Sequence, residues 1–180
     1  MTPQQRESKV TIDLHAGENG PFPRLAEDVR KGLTKTPKEL PPKYFYDARG
    51  AELFEQICDL PEYYLTRTEG VLLEQIADEL VESCRPTTLV EFGSGSARKT
   101  RILLGAMARR GLLNLYVPID VNEDLLRQAA RALCEDYPGL RVHGVVGDFE
   151  RPVEIIPDGG PRLVAFLGST IGNLTHDGAI

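Results

Sequence analysis

Thr88-Leu89-Val90-Glu91-Phe92-Gly93-Ser94-Gly95-Ser96-Ala97-Arg98-Lys99-Thr100 is the stretch that decides the fold. Its first residues are short, apolar and rich in β-formers, and they stop at a glycine. Residues 98–110 then repeat Leu103, Leu104 and Met107 at helical spacing. A strand that passes through two glycines into a helix opens a βαβ unit. Gly93 and Gly95 permit positive φ and close approach of a ligand to the backbone. In an open α/β sheet, nucleotides bind at this place, outside the carboxyl ends of the strands near the switch point.

The alternation continues downstream. Residues 115–120 read as a second strand, and 122–136 as an amphipathic helix with Asn122 as its cap. Residues 140–148 form a third strand, and the almost wholly apolar 162–168 a fourth. Upstream the pattern is helical: residues 23–34 with Pro23 in the first turn, then a proline-rich break over 36–42, then 49–58. Residues 66–84 make the clearest helix, with Thr66 and Glu69 spaced as a capping box. Leu72, Leu73, Ile76, Leu80 and Val81 form its apolar stripe. Residues 1–20 are a polar arm in which only Val10–Leu14 alternates as a short strand does. The expected fold is therefore α/β: a parallel Rossmann-like sheet of four strands over 87–180, preceded by the arm 1–20 and a helical segment 21–86.

Composition narrows the function classes. The 180 residues carry 21 Lys and Arg against 27 Asp and Glu, a net charge of −6, which argues against nucleic acid as the main partner. No apolar run approaches the length of a membrane span, and the start MTPQQRESKV has no apolar signal core. Cys58, Cys84 and Cys134 fit neither a metal motif nor a disulfide framework, and they read as thiols in a reducing cytoplasm. His15, His143 and His176 are scattered, so no metal site and no Ser-His-Asp or Cys-His arrangement is expected.

Two cofactor classes compete for the glycine turn. A dinucleotide fingerprint needs a third glycine, and that position is Arg98. A nucleoside cofactor without phosphates, such as S-adenosylmethionine, needs only the turn and a carboxylate for the ribose. The bland alternative is a tight turn that holds no ligand. Asp120 ends the second strand at about the spacing where an acidic residue meets ribose hydroxyls. Asp148, ending the third strand, can accept from an adenine amine while Phe149 packs on the ring. The glycine turn, Asp120 and Asp148-Phe149 thus lie at the ends of three consecutive strands, which favours an adenosine site.

The motifs together resemble the histidine-specific Nα-methyltransferases of ergothioneine biosynthesis. The resemblance is carried by Pro41-Pro42-Lys43-Tyr44-Phe45-Tyr46-Asp47, by Gly50-Ala51-Glu52-Leu53-Phe54-Glu55-Gln56-Ile57 and by Leu60-Pro61-Glu62-Tyr63-Tyr64. It continues through Glu91-Phe92-Gly93-Ser94-Gly95 with Lys99, Pro118-Ile119-Asp120, Gly147-Asp148-Phe149 and Gly168-Ser169-Thr170-Ile171-Gly172-Asn173. It implies a class I methyltransferase sheet and the trimethylation of the α-amine of L-histidine to hercynine, with S-adenosylmethionine as donor. Carried over by position, Gly93, Lys99, Asp120, Asp148 and Phe149 would hold the cofactor. Tyr63 and Asn173 would hold histidine, with Tyr46 and Gly168 in the same pocket. No Cys or His nucleophile is required. Members of the family continue well beyond the equivalent of Ile180, so a truncated product or a fragment of a split gene is expected. It would lack the C-terminal part of the fold and the groups that read the imidazole. A cofactor-binding module without independent catalysis, and an enzyme for another amine such as an ergot-alkaloid tryptophan derivative, remain as alternatives. The incomplete sheet edge is expected to recruit a partner chain or to self-associate.

Overall fold

The computed structural model describes residues 9–15, 24–149, 157, 160–174 and 176. Five strands form one sheet: β1 (Val10–Leu14), β2 (Thr88–Phe92), β3 (Leu115–Asp120), β4 (Arg141–Val146) and β5 (Arg162–Ala165), in the order β1-β4-β3-β2-β5. Every pairing is parallel. The sheet has one strand more than the four expected over 87–180, because Val10–Leu14 joins its edge, from Val10 beside Val142 to Leu14 beside Val146. β2, β3 and β4 step outward in sequence, and β5 then crosses back to the other side of β2. That reversal makes β2 the switch point, where such a sheet opens a ligand crevice.

β5 is shorter than the 162–168 expected. Phe166 and Leu167 leave the ladder, and Gly168 (φ 74°) and Ser169 (φ 58°) turn the chain into a 3-10 turn over Thr170–Asn173. β5 is also the sheet's edge among the described residues, with Val164 58% exposed.

The helices are α1 (Leu25–Thr34), α2 (Ala48–Cys58), α3 (Leu65–Cys84), α4 (Thr100–Arg109) and α5 (Glu123–Asp136). Pro23 lies outside the described residues. Asn122 caps α5 as expected, its side chain accepting the Leu125 N–H at 3.0 Å. Thr66 and Glu69 form no capping box. α3 starts a residue before Thr66, so the Thr66 hydroxyl lies inside the helix and donates to Cys58 Sγ at 3.5 Å. The Glu69 carboxylate turns instead to an ammonium and a distant backbone amide, which bind it more strongly than its own helix end would.

One core layer packs Leu73, Ala77 and Val81 of α3, Leu103, Leu104 and Met107 of α4, and Ala130 and Leu133 of α5 against Leu89, Tyr116 and Val142. A second cluster joins Val90, Val117, Ile119 and Val145, with Phe92 and Phe149 against it. Neighbours on β2 fall in different clusters because strand side chains alternate between faces. The buried line of α3 is Leu73-Ala77-Val81; Leu72 and Ile76 of the expected stripe stay 52% and 39% exposed. Each fully buried aliphatic side chain stabilises the fold by about 1.5–3 kcal/mol. No helix of the described residues is long and apolar enough to cross a membrane.

Candidate functional site

The carboxyl ends of β2, β3 and β4 and the turn after β5 open into one cleft, closed on the other side by α2 and the segment before it. Gly93, Lys99, Asp120, Asp148, Phe149, Tyr46, Gly168 and Asn173 all line it.

The glycine turn is built by backbone geometry. Gly93 (φ 67°), Gly95 (φ 50°) and Ala97 (φ 55°) are all left-handed. A Cβ on Gly93 would stand 3.3 Å from Thr170 Cγ2, so this residue lets the turns after β2 and β5 approach. A Cβ on Gly95 would meet nothing within 4 Å, which leaves space above the turn for a ligand.

Asp120 fastens that turn to β3. Its Oδ2 accepts the Gly95 N–H at 2.8 Å, and its Oδ1 accepts the Asn122 N–H at 2.9 Å. Burial pushes its carboxyl above the usual range, while these amides pull it back. A carboxylate offers about four acceptor positions, so roughly two stay available for a pair of hydroxyls.

Glu91 lies behind the turn, 3% exposed. Thr100 Oγ1 donates to its Oε2 at 2.6 Å and Tyr116 Oη at 2.5 Å. Burial raises its carboxyl to about 7 against the pull of those hydroxyls and of Lys99. The same burial, with Glu91 beside it, pushes the Tyr116 phenol well above its ordinary value.

Asp148 Oδ2 receives Lys43 Nζ at 2.6 Å, with the two side chains only 12% and 18% exposed. Lys43 belongs to the 3-10 turn Pro42–Phe45 that precedes α2. The N-terminal segment is thereby tied to the end of β4. Phe149 stands in an edge-on trio with Phe92 and Phe166, at centroid distances of 6.0 and 5.4 Å.

Tyr63 is the one expected site residue that does not line the cleft. Its ring packs edge-on to Phe54 at 6.1 Å, and Phe54 packs on Tyr46 at 5.8 Å, so it adjoins two residues of the wall. Burial is the main cause that pushes its phenol upward.

Glu69, Glu91 and Lys43 carry contacts in and around the cleft that sequence reasoning did not assign. Glu91 had a signal, because a carboxylate inside a buried strand is rare and needs partners. Glu69 was masked by its spacing from Thr66, and Lys43 pairs with a residue too distant in sequence for any local pattern.

An open parallel sheet with a glycine turn at its switch point, and carboxylates at the next two strand ends, defines a Rossmann-like α/β domain. At the third glycine position of the dinucleotide pattern stands Arg98, which reaches Asp59 at 3.4 Å on the surface. Residues 25–180 match the family described as histidine-specific methyltransferase, SAM-dependent, and the chain belongs to that family. It is 50% identical over 167 residues to the histidine N-alpha-methyltransferase of Mycobacterium tuberculosis, covering 93% of this chain and 52% of that protein. It is 53% identical over 151 residues to the Mycolicibacterium smegmatis protein of the same name, covering 84% and 47%. The ergothioneine biosynthesis protein 1 of Schizosaccharomyces pombe is 32% identical over 164 residues, covering 85% and 21%. The chain thus spans about half the length of the mycobacterial relatives it matches.

Proposed function

We propose that this chain is the cofactor-binding part of a methyltransferase that trimethylates the α-amine of L-histidine to hercynine, in ergothioneine biosynthesis, with S-adenosylmethionine as donor. The observation that carries the reading is convergence. Gly93, Asp120, Asp148, Phe149, Lys99 and Asn173, drawn from four strand ends, line one cleft in a chain of this family.

The residues present fit that cofactor by chemistry. Asp120 keeps acceptor positions for the two ribose hydroxyls, beside the open space over Gly95. Asp148 can accept from an adenine amine beside the Lys43 ammonium, since a carboxylate has about four acceptor positions, and Phe149 supplies an apolar face for the ring. Lys99 gives a cation for the carboxylate end.

When bound, S-adenosylmethionine supplies a methyl group already activated by a positive sulfur, so the chain needs no nucleophile of its own. The side chains bind and orient. Asn173, ending the turn after β5, offers an amide donor and acceptor for the substrate's carboxylate and amine without adding charge. Tyr46 lines the same wall, Gly168 presents backbone there, and Tyr63, packed on Phe54 next to Tyr46, would hold histidine beside that wall. An α-amine with a pKa of about 8 has a neutral fraction near pH 7, so no dedicated base is required. In this division of labour 21–86 is the substrate-side segment and 87–180 the cofactor domain. The three free cysteines accord with a reducing cytoplasm.

Calorimetric titration with S-adenosylhomocysteine, with and without L-histidine, tests the reading. The expected result is cofactor binding that histidine strengthens. A folded chain that binds no S-adenosylhomocysteine overturns it. Binding that is indifferent to histidine favours the alternative of a cofactor module that needs a further segment for its substrate.

A further inference from the structure

Glu69 sits on α3, outside the lining of the cleft, and no role described so far uses it. Its two carboxylate oxygens both accept the Gly168 N–H, each at 3.0 Å. Its Oε2 also receives Lys99 Nζ. One side chain therefore joins α3 to the turn before α4 and to the turn after β5, and both of its partners line the cleft.

The contact is sheltered. Lys99 and Glu69 side chains are 17% and 28% exposed. An ammonium left without its partner in such a place extends its flexible stem toward water. Held by Glu69, it lies against the Gly168 turn, where a Cβ on Gly168 would stand 3.3 Å from Nζ. That turn holds Ser169, a non-glycine residue at φ 58°, a conformation that persists only where its surroundings fix it. Asn173 lies at the end of the same turn.

We propose that Glu69 is a positioning residue, which aims the Lys99 ammonium at the anionic end of the bound cofactor and locks the turn that carries Asn173. The proposal rests on the S-adenosylmethionine reading above. The only anionic group of that cofactor is its amino-acid carboxylate. Among the cations lining the cleft, Lys43 sits at the end of β4 with Asp148, the carboxylate assigned to the adenine, and Arg98 is 58% exposed between Asp59 and Glu55, whereas Lys99 lies at the glycine turn against Gly168 and is the one placed for it. An ammonium has three donors, and its pairing with Glu69 leaves donors for a ligand.

The test compares two ligands on the full 180-residue chain. S-adenosylhomocysteine carries the carboxylate, whereas 5′-methylthioadenosine keeps the adenosine and sulfur but lacks the amino-acid end. Glu69→Ala is expected to weaken S-adenosylhomocysteine by about tenfold and methylthioadenosine by less than about twofold. Glu69→Gln, which keeps a carbonyl acceptor for Gly168 and Lys99, is expected to fall between Glu69→Ala and the unaltered chain. On a Lys99→Met background, Glu69→Gln should add no further loss of S-adenosylhomocysteine affinity. Should Glu69→Ala fail to fold by circular dichroism, Glu69→Gln decides alone. Equal loss of both ligands would assign Glu69 a purely structural role and overturn the proposal. So would unchanged or tighter S-adenosylhomocysteine binding, the latter because Glu69 would then be a competitor for Lys99. An unaltered chain that binds neither ligand overturns the cofactor reading itself, a result that no Glu69 variant could produce.

Discussion

Asp120 Oδ2, at the end of β3, accepts the N–H of Gly95, in the turn after β2, at 2.8 Å. The residue proposed to hold the ribose thus also shapes the turn over which the ribose would lie. Asparagine is nearly the same size but has one acceptor oxygen and an NH2. Either the Gly95 or the Asn122 amide would then face a donor. Asp120→Asn is expected to weaken S-adenosylhomocysteine by at least about tenfold, or about 1.4 kcal/mol, in calorimetric titration. Affinity within about twofold of the unaltered chain would remove Asp120 from the cofactor site.

Glu91 makes stability depend on pH. Its carboxyl titrates at about 7 in the folded chain and near 4.5 when exposed. Between those values the folded state holds a proton that the unfolded state has lost. This contribution is therefore full below pH 4.5 and disappears as pH rises through about 7, by roughly 3 kcal/mol across the window. Glu91→Gln is neutral throughout. Urea unfolding at about pH 5, 6 and 7.5 should show a downward slope in the unaltered chain and a flatter one in Glu91→Gln. Parallel slopes would mean that Glu91 stays ionised despite its burial.

The two examples differ in what local pattern could reveal. The place of Asp120 at a strand end beside the glycine turn was legible because these are features of chain order, and α4, α5 and the strands around them were legible for the same reason. Val10–Leu14 was legible as a strand but not as the neighbour of β4, since parallel register joins residues far apart in sequence. The Thr66 and Glu69 spacing pointed to a cap because local pattern cannot weigh a helix end against an ammonium thirty residues away. Tyr63 was expected at the substrate; its ring packing on Phe54 is invisible without coordinates.

Lys43 and Asp148 are coupled. Their pair is mostly withdrawn from water, so removing one partner takes a charge-assisted contact from the other where little solvent can replace it. Lys43→Met and Asp148→Asn are each expected to cost about 2 kcal/mol in thermal unfolding, and the double variant less than their sum. Strict additivity would show that the contact contributes nothing to the folded state.

Gly93→Ala separates conformation from ligand contact. A φ of 67° costs an alanine about 1–2 kcal/mol, roughly 3–6 °C in Tm for a chain of this size. Its methyl must also move Thr170 by a few tenths of an ångström. Both effects act before any ligand arrives. Tm should fall by that amount, and S-adenosylhomocysteine affinity should fall as well because the turn shifts. An unchanged Tm would mean that the turn relaxes without strain.

Asn173 is the test of the substrate side. Asn173 lines the cleft at the end of the 3-10 turn Thr170–Asn173. Asn173→Ala should leave S-adenosylhomocysteine affinity within about twofold while abolishing the strengthening produced by L-histidine. Asn173→Asp keeps the shape but places a negative charge where the substrate carboxylate would lie, and repulsion should make it no better than the alanine variant. Calorimetric titration of both variants, with and without histidine, decides the assignment. Equal losses for cofactor and histidine would mean that Asn173 holds the turn rather than the substrate, and a variant that keeps the full histidine effect would move the substrate site elsewhere on the cleft wall.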